Sequence, residues 1–177
     1  MSGLFFDTNV IVYAHDPADP RKQSQARAAM HDAMVGRTLV ISTQVMQEFY
    51  SVVLRRQWMS PAQASQVLRL LAGYTVVPAD SASVLRALEL QQRYRLSVWD
   101  ALIVQSAIDA RCSVLYSEDL QAGMRFDAPG APTLEVVSPF NAEAAPAVCE
   151  RAGRYRVTAS AEPSTKPRPV RAGKAAR

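Results

Sequence analysis

The sequence is poor in cysteine, in lysine and in long apolar runs, and each shortage removes a class of protein. Cys112 and Cys149 are its only cysteines, too few for a disulfide framework and without the spacing of a metal-binding set. A reducing, cytoplasmic setting is the simplest reading. No stretch approaches the roughly 18 uninterrupted apolar residues of a membrane span. The first residues also lack a basic region followed by an apolar run and a small-residue cleavage site. Neither export nor membrane insertion is expected. Lysine is absent from residues 23–165 and arginine from the immediate surroundings of Asp7 and Asp119, so acids gathered there lack an adjacent counter-charge.

What is present suffices for one domain and a tail. The chain has 177 residues and 49% hydrophobic content, ample for a single core. Its net charge of +4 resembles a nucleic-acid signature until the chain is divided. Residues 1–140 carry 12 Lys+Arg against 13 Asp+Glu, a net of −1, whereas residues 141–177 carry 8 against 3, a net of +5. The basic excess therefore belongs to the tail. Its Ala, Pro and Arg composition, ending in SAEPSTKPRPVRAGKAAR, cannot bury a core, and disorder is expected there.

Within residues 1–140, short apolar runs alternate with helical patterns. Leu4–Phe6, Leu39–Ile41, Thr75–Val77, Ser113–Tyr116 and Leu134–Val137 have strand length and are bounded by turn or cap residues. Helices are expected over Thr8–His15, Pro20–Val35, Gln44–Arg56, Ala62–Leu71, Ser81–Tyr94 and Val98–Arg111. Gly36 suits a helix stop and Pro61 a helix start. This alternation predicts an α/β fold with a parallel sheet covered by helices on both faces. The helix pair Gln44–Leu71, with no strand between its members, predicts a small lobe beside the sheet.

Acidic residues fall where such a sheet places ligands, beyond the carboxyl ends of its strands. Asp7 ends the run LFFDTNV, and Asp119 follows the fourth strand in LYSEDLQAG. Glu48 lies on the helix after strand two and Asp100 in the first turn of the helix before strand four. Each has a bland reading. Asp7 suits an N-cap, Glu48 a solvated helix face, and Asp119 a turn cap. Ser97-x-x-Asp100 resembles a capping box, although Ile103, Val104 and Ala107 turn that helix face inward. Taken together, four converging carboxylates would repel one another without a cation. A hard divalent ion, Mg²⁺ with Mn²⁺ as a substitute, matches all-oxygen ligands. His15 and His31 are expected in packing or surface roles.

The blocks FFDTNVIVYAHD, STQVMQEFY, LSVWDALIVQSA and LYSEDLQAG, in that order, resemble the PIN-domain family, and specifically the VapC-type toxins of bacterial toxin–antitoxin pairs. The acids within them lie 41, 52 and 19 residues apart, and the resemblance covers about residues 4–140. It implies a three-layer α/β/α sandwich around a parallel sheet. It also implies that Asp7, Glu48, Asp100 and Asp119 are the catalytic and metal-holding acids, with Asn9 and Ser117 orienting them or the attacking water. Glu118 is an additional, weaker candidate. The implied chemistry is Mg²⁺-dependent hydrolysis of phosphodiester bonds in structured RNA, tRNA or rRNA. A homodimer and a VapB-type antitoxin are the implied partners, the antitoxin's C-terminal segment blocking the acidic groove.

Two other phosphate chemistries fail on the residues. A haloacid-dehalogenase-like phosphatase needs a second acid where Asn9 stands, and a phosphorelay receiver needs an acidic pair at strand one. The remaining alternatives are a PIN nuclease of RNA processing without an antitoxin and a non-catalytic interaction module. For the tail, a passive solubilising extension is preferred to a phosphate-holding role for Arg151, Arg154, Arg156, Lys166, Arg168, Arg171, Lys174 and Arg177.

Overall fold

The structure is a computed structural model that describes residues 2–140. The basic tail expected over 141–177 lies outside those residues. The chain runs β1 (Leu4–Phe6), α1 (Thr8–Tyr13), α2 (Pro20–Val35), β2 (Leu39–Ser42), α3 (Thr43–Arg55), α4 (Pro61–Leu71), β3 (Thr75–Val77), α5 (Ser81–Tyr94), α6 (Val98–Asp109), β4 (Val114–Tyr116), β5 (Arg125–Phe126) and β6 (Leu134–Val137). The sheet order is β3-β2-β1-β4-β6-β5. All pairings are parallel except β5 with β6.

This order follows from the connections. From β1 the chain steps outward to β2 and β3, then returns across β1 to β4. Right-handed crossovers place α1–α4 on one face and α5–α6 on the other. The packing agrees: α1 meets α2 and α3, α3 meets α4, and α5 lies along α6. The expected α/β/α sandwich and the α3–α4 lobe are both present. Ser60 opens α4 with a reciprocal cap to Gln63, directly before Pro61.

The core forms because the strands carry apolar residues on both faces. Phe5, Phe6, Leu39, Ile41, Leu115 and Leu134 are all fully buried. In α6 the buried residues include the unbroken run Ile103–Ile108, as befits a helix wedged between the sheet and α5. Among the described residues no helix is long and apolar enough to cross a membrane.

β1 is the strand on which this topology turns. Connections leave it toward β2 on one side, and β4 takes the other, so the crevice between the carboxyl ends of β1 and β4 is the switch point where open sheets bind ligands. In register, Phe6 stands beside Tyr116. Asp7 and Ser117, each one residue further on, therefore emerge side by side.

Candidate active site

Asp7 is buried at the end of β1 and caps α1, its Oδ1 accepting the Thr8 N–H at 2.6 Å. The other carboxyl oxygen accepts from Ser117 Oγ at 2.7 Å and from Asn9 Nδ2 at 3.0 Å. Asn9 in turn accepts the Glu118 N–H through Oδ1 at 3.3 Å. The Leu120 N–H donates to Ser117 Oγ at 3.3 Å, folding Ser117–Leu120 into a tight turn. Asp7 thus both caps a helix and lies at the switch point, and Asn9 and Ser117 each donate to the same one of its oxygens.

Burial is the largest influence on the Asp7 carboxyl and pushes its pKa up to about 6. Bonds from Ser117 and Thr8 oppose the rise, while the nearby charges of Asp119 and Glu48 add to it. A carboxylate that three donors cannot hold at its ordinary acidity is a site at which added positive charge is favourable.

Glu48 projects from the second turn of α3 toward this group. Its Oε2 accepts from Thr8 Oγ1 at 2.6 Å and its Oε1 from Gln44 Nε2 at 2.9 Å. Gln44 also reaches the Trp99 carbonyl at 3.4 Å, tying the start of α3 to the start of α6. Asp100, one residue beyond Trp99, forms only half of the expected capping box: Ser97 caps α6, but the Asp100 carboxylate does not return a bond to the Ser97 N–H. The Asp100 N–H donates to Ser97 Oγ at 3.1 Å, and that hydroxyl bonds Asp100 Oδ2 at 2.7 Å. Asp119 is exposed at the tip of the turn after β4.

The structure therefore brings Asp7, Asn9, Ser117 and the Glu118 backbone into one network. It joins Glu48 to that network through Thr8, with Asp119 within electrostatic reach. Asp100 is linked only through its helix and Gln44. Among the described residues no three Asp, Glu, His or Cys side chains are gathered closely enough to hold one ion directly. Asp7, Glu48 and Asp100 are instead each engaged by a hydroxyl or amide. The donor chemistry still fits a hard divalent cation, because Mg²⁺ is ordinarily held by one or two carboxylates with water completing its shell.

Three participants escape a sequence reading. Thr8 and Gln44 hold Glu48, yet Thr8 reads as an ordinary first-turn residue and Gln44 as a helix start. Lys22 lies just outside the lysine-free span and forms an ion pair with Glu118. The acids are therefore not wholly without a cation. No signal links two residues 96 apart, although Lys22 is the only lysine in residues 1–140. His15 packs edge-on against Phe49 and His31 is exposed, both as expected.

Comparison with known proteins places the fold. No curated protein matches the chain in sequence. Among solved structures, Mycobacterium tuberculosis VapC20, described as a sarcin–ricin loop cleaving toxin, is 20% identical over 66% of this chain and 90% of that one, with a TM-score of 0.54. A toxin–antitoxin complex from Klebsiella pneumoniae is 21% identical over 77% of this chain and 98% of that one, with a TM-score of 0.53. These likenesses show the fold. The PIN domain family pattern matches residues 4–123, and the chain belongs to the PIN-domain family.

Proposed function

We propose that this chain is a Mg²⁺-dependent endoribonuclease that hydrolyses phosphodiester bonds in structured RNA, tRNA or rRNA, and serves as the toxin of a toxin–antitoxin pair. The observation that carries the reading is the buried, thrice-bonded carboxyl of Asp7 at the switch point, with the charges of Glu48 and Asp119 acting on it. Membership of the PIN family supports nuclease chemistry. The folds of a sarcin–ricin loop cleaving toxin and of a toxin–antitoxin complex make ribosomal RNA and an antitoxin the first substrate and partner to test.

In this reading Asp7, Asp100 and Asp119 would hold the metal, with Glu48 serving through water or as the base that orients it. When bound, the ion supplies positive charge at the scissile phosphate and acidifies the attacking water. The chain's own residues do the positioning. Ser117, Asn9 and the Thr8 amide fix both oxygens of Asp7. Thr8 and Gln44 fix both oxygens of Glu48, which is thereby held to orient a water and take its proton.

Two surfaces support the expected partners. An apolar groove between α1, α2 and α4, lined by Met30, Met34, Val67, Leu70 and Leu71 among others, offers antitoxin contact surface apart from the acidic groove that its C-terminal segment would block. The exposed Val84, Leu85 and Leu88 on α5 supply apolar surface for a homodimer. Such a toxin acts in the cytoplasm.

The test compares wild type with Asp7→Asn on total tRNA and rRNA, in Mg²⁺ and in EDTA, after any bound antitoxin has been removed. Wild type should cut at discrete sites only with Mg²⁺, and the variant should be slower by about 100-fold or more. Equal cleavage by both proteins, or cleavage that survives EDTA, would overturn the reading.

A further inference from the structure

We propose that Lys22 is a positioning residue of the candidate site, acting through its ion pair with Glu118 to clamp the turn that carries Ser117 and Asp119 against α2. The inference rests on the nuclease reading above and adds a residue to it.

Three other parts of the chain converge on the Lys22 ammonium group. Lys22 Nζ, from the first turn of α2, pairs with Glu118. It bonds the Tyr13 hydroxyl at the end of α1 at 3.3 Å. It also lies 4.4 Å from the centre of the Tyr13 ring and 5.4 Å from that of Phe140. Those two rings meet edge to face at 5.1 Å. A lysine on a solvated helix face ordinarily keeps its rotamers. This one is held by a carboxylate, a hydroxyl and two aromatic faces.

The clamp bears on the site because of where Glu118 sits. Its N–H donates to Asn9 Oδ1, which aims the Asn9 amide at Asp7. Its preceding neighbour, Ser117, bonds Asp7, and its following neighbour, Asp119, acts on Asp7 by charge. Releasing Glu118 therefore loosens three members of the site through one peptide segment. Both side chains of the pair are 28% exposed. An ion pair so placed adds little to global stability, which leaves alignment as its contribution.

The experiment measures single-turnover cleavage and steady-state kinetics for Lys22→Met, Lys22→Arg, Glu118→Gln and the Lys22→Met/Glu118→Gln double variant, on the RNA that wild type cuts. Lys22→Met should lower kcat about tenfold with KM changed less than about twofold, as expected for misplaced groups rather than lost binding. Lys22→Arg should recover most of the rate. Glu118→Gln should match the loss, and the double variant should be no slower than either single one. The Glu118 amide should exchange hydrogen faster in Lys22→Met while α6 amides keep their protection. Wild-type kcat in Lys22→Met, strictly additive losses, or a rise in KM alone would overturn the proposal, the last making Lys22 a phosphate contact. If Lys22→Met does not fold, Glu118→Gln carries the same test. A wild type that cuts no RNA in Mg²⁺ would sink the nuclease reading and the clamp's part in it. An active wild type matched by Lys22→Met would sink the clamp alone.

Discussion

Asp7 shows how a site residue is held against the preference of the fold around it. Its three hydrogen bonds favour the ionised form, but burial and two neighbouring acids outweigh them and leave the carboxyl at about 6 rather than the ordinary 3.8. Because the folded-state value is raised, the folded protein binds this proton more tightly than the unfolded chain does. The resulting stability is fully present below about pH 4, falls as pH rises toward 6, and is gone above it. The ionised group then costs the fold on the order of 3 kcal/mol. Asp7→Asn removes that dependence. It also removes an oxygen that accepts from both Ser117 and Asn9, so the gain is partial. In metal-free buffer, Asp7→Asn should be more stable than wild type by about 1–2 kcal/mol at pH 7.5 and less stable by about as much near pH 4, where the ionisation cost is gone and the lost hydrogen bonds remain. Urea unfolding at the two pH values measures this. A variant less stable than wild type at pH 7.5 would mean that the hydrogen bonds dominate the desolvation.

At the scale of elements, the placement of Asp7 depends on β1 lying close to both neighbours, and Gly3 permits that approach. A Cβ at Gly3 would stand 2.8 Å from Val40 Cγ2 in β2 and 3.0 Å from Cys112 Sγ. Both neighbours are buried and have little room to retreat. Gly3→Ala should therefore lower stability by about 1–3 kcal/mol with an unchanged urea m-value, measured by equilibrium unfolding. No loss would show that β1 can shift within the sheet. The same strand explains what the sequence reveals. Leu4–Phe6, Thr75–Val77 and Leu134–Val137 were legible because each is a short apolar run bounded by turn or cap residues, and the α3–α4 pair because Ser60-Pro61 marks a helix start. β5 was not legible: two residues, Arg125 and Phe126, form no pattern. α3 and α6 end one and two residues before the points the sequence predicts, because the left-handed residues that follow them are Gln57 and Arg111, where glycine would have signalled a stop. In the candidate site, Asp7 and Asp119 could be singled out from their places at strand ends, whereas Asn9 and Ser117 were pointed to only by the family resemblance. Thr8, Gln44 and Lys22 could not be read at all, because their partners are fixed only when helices distant in sequence pack together.

For the whole molecule, the charge is divided along the chain rather than balanced. Residues 1–140 carry a net −1 and bring Asp7, Glu48 and Asp119 within electrostatic reach of one another, whereas residues 141–177 carry +5. An RNA approaching the site meets a surface whose phosphate attraction must come from scattered arginines, from bound cations or from the tail. If the tail held phosphates, each contact would release counterions, and removing it would flatten the salt dependence of binding. The preferred reading is a passive extension. Among the described residues the strands and the buried core lie within residues 4–140, and Phe140, the last buried side chain among them, already packs on Tyr13. A chain ending at Phe140 should therefore unfold with the same midpoint as the full chain. Its RNA affinity should be unchanged, and log Kd plotted against log salt should keep its slope. Fluorescence anisotropy with a catalytically inactive Asp7→Asn background, between about 50 and 200 mM salt, separates the two roles. Equal slopes leave the tail outside recognition. A shallower slope after deletion would make residues 141–177 the electrostatic arm that brings RNA to an otherwise acidic mouth, with the loss of slope counting the phosphates it held.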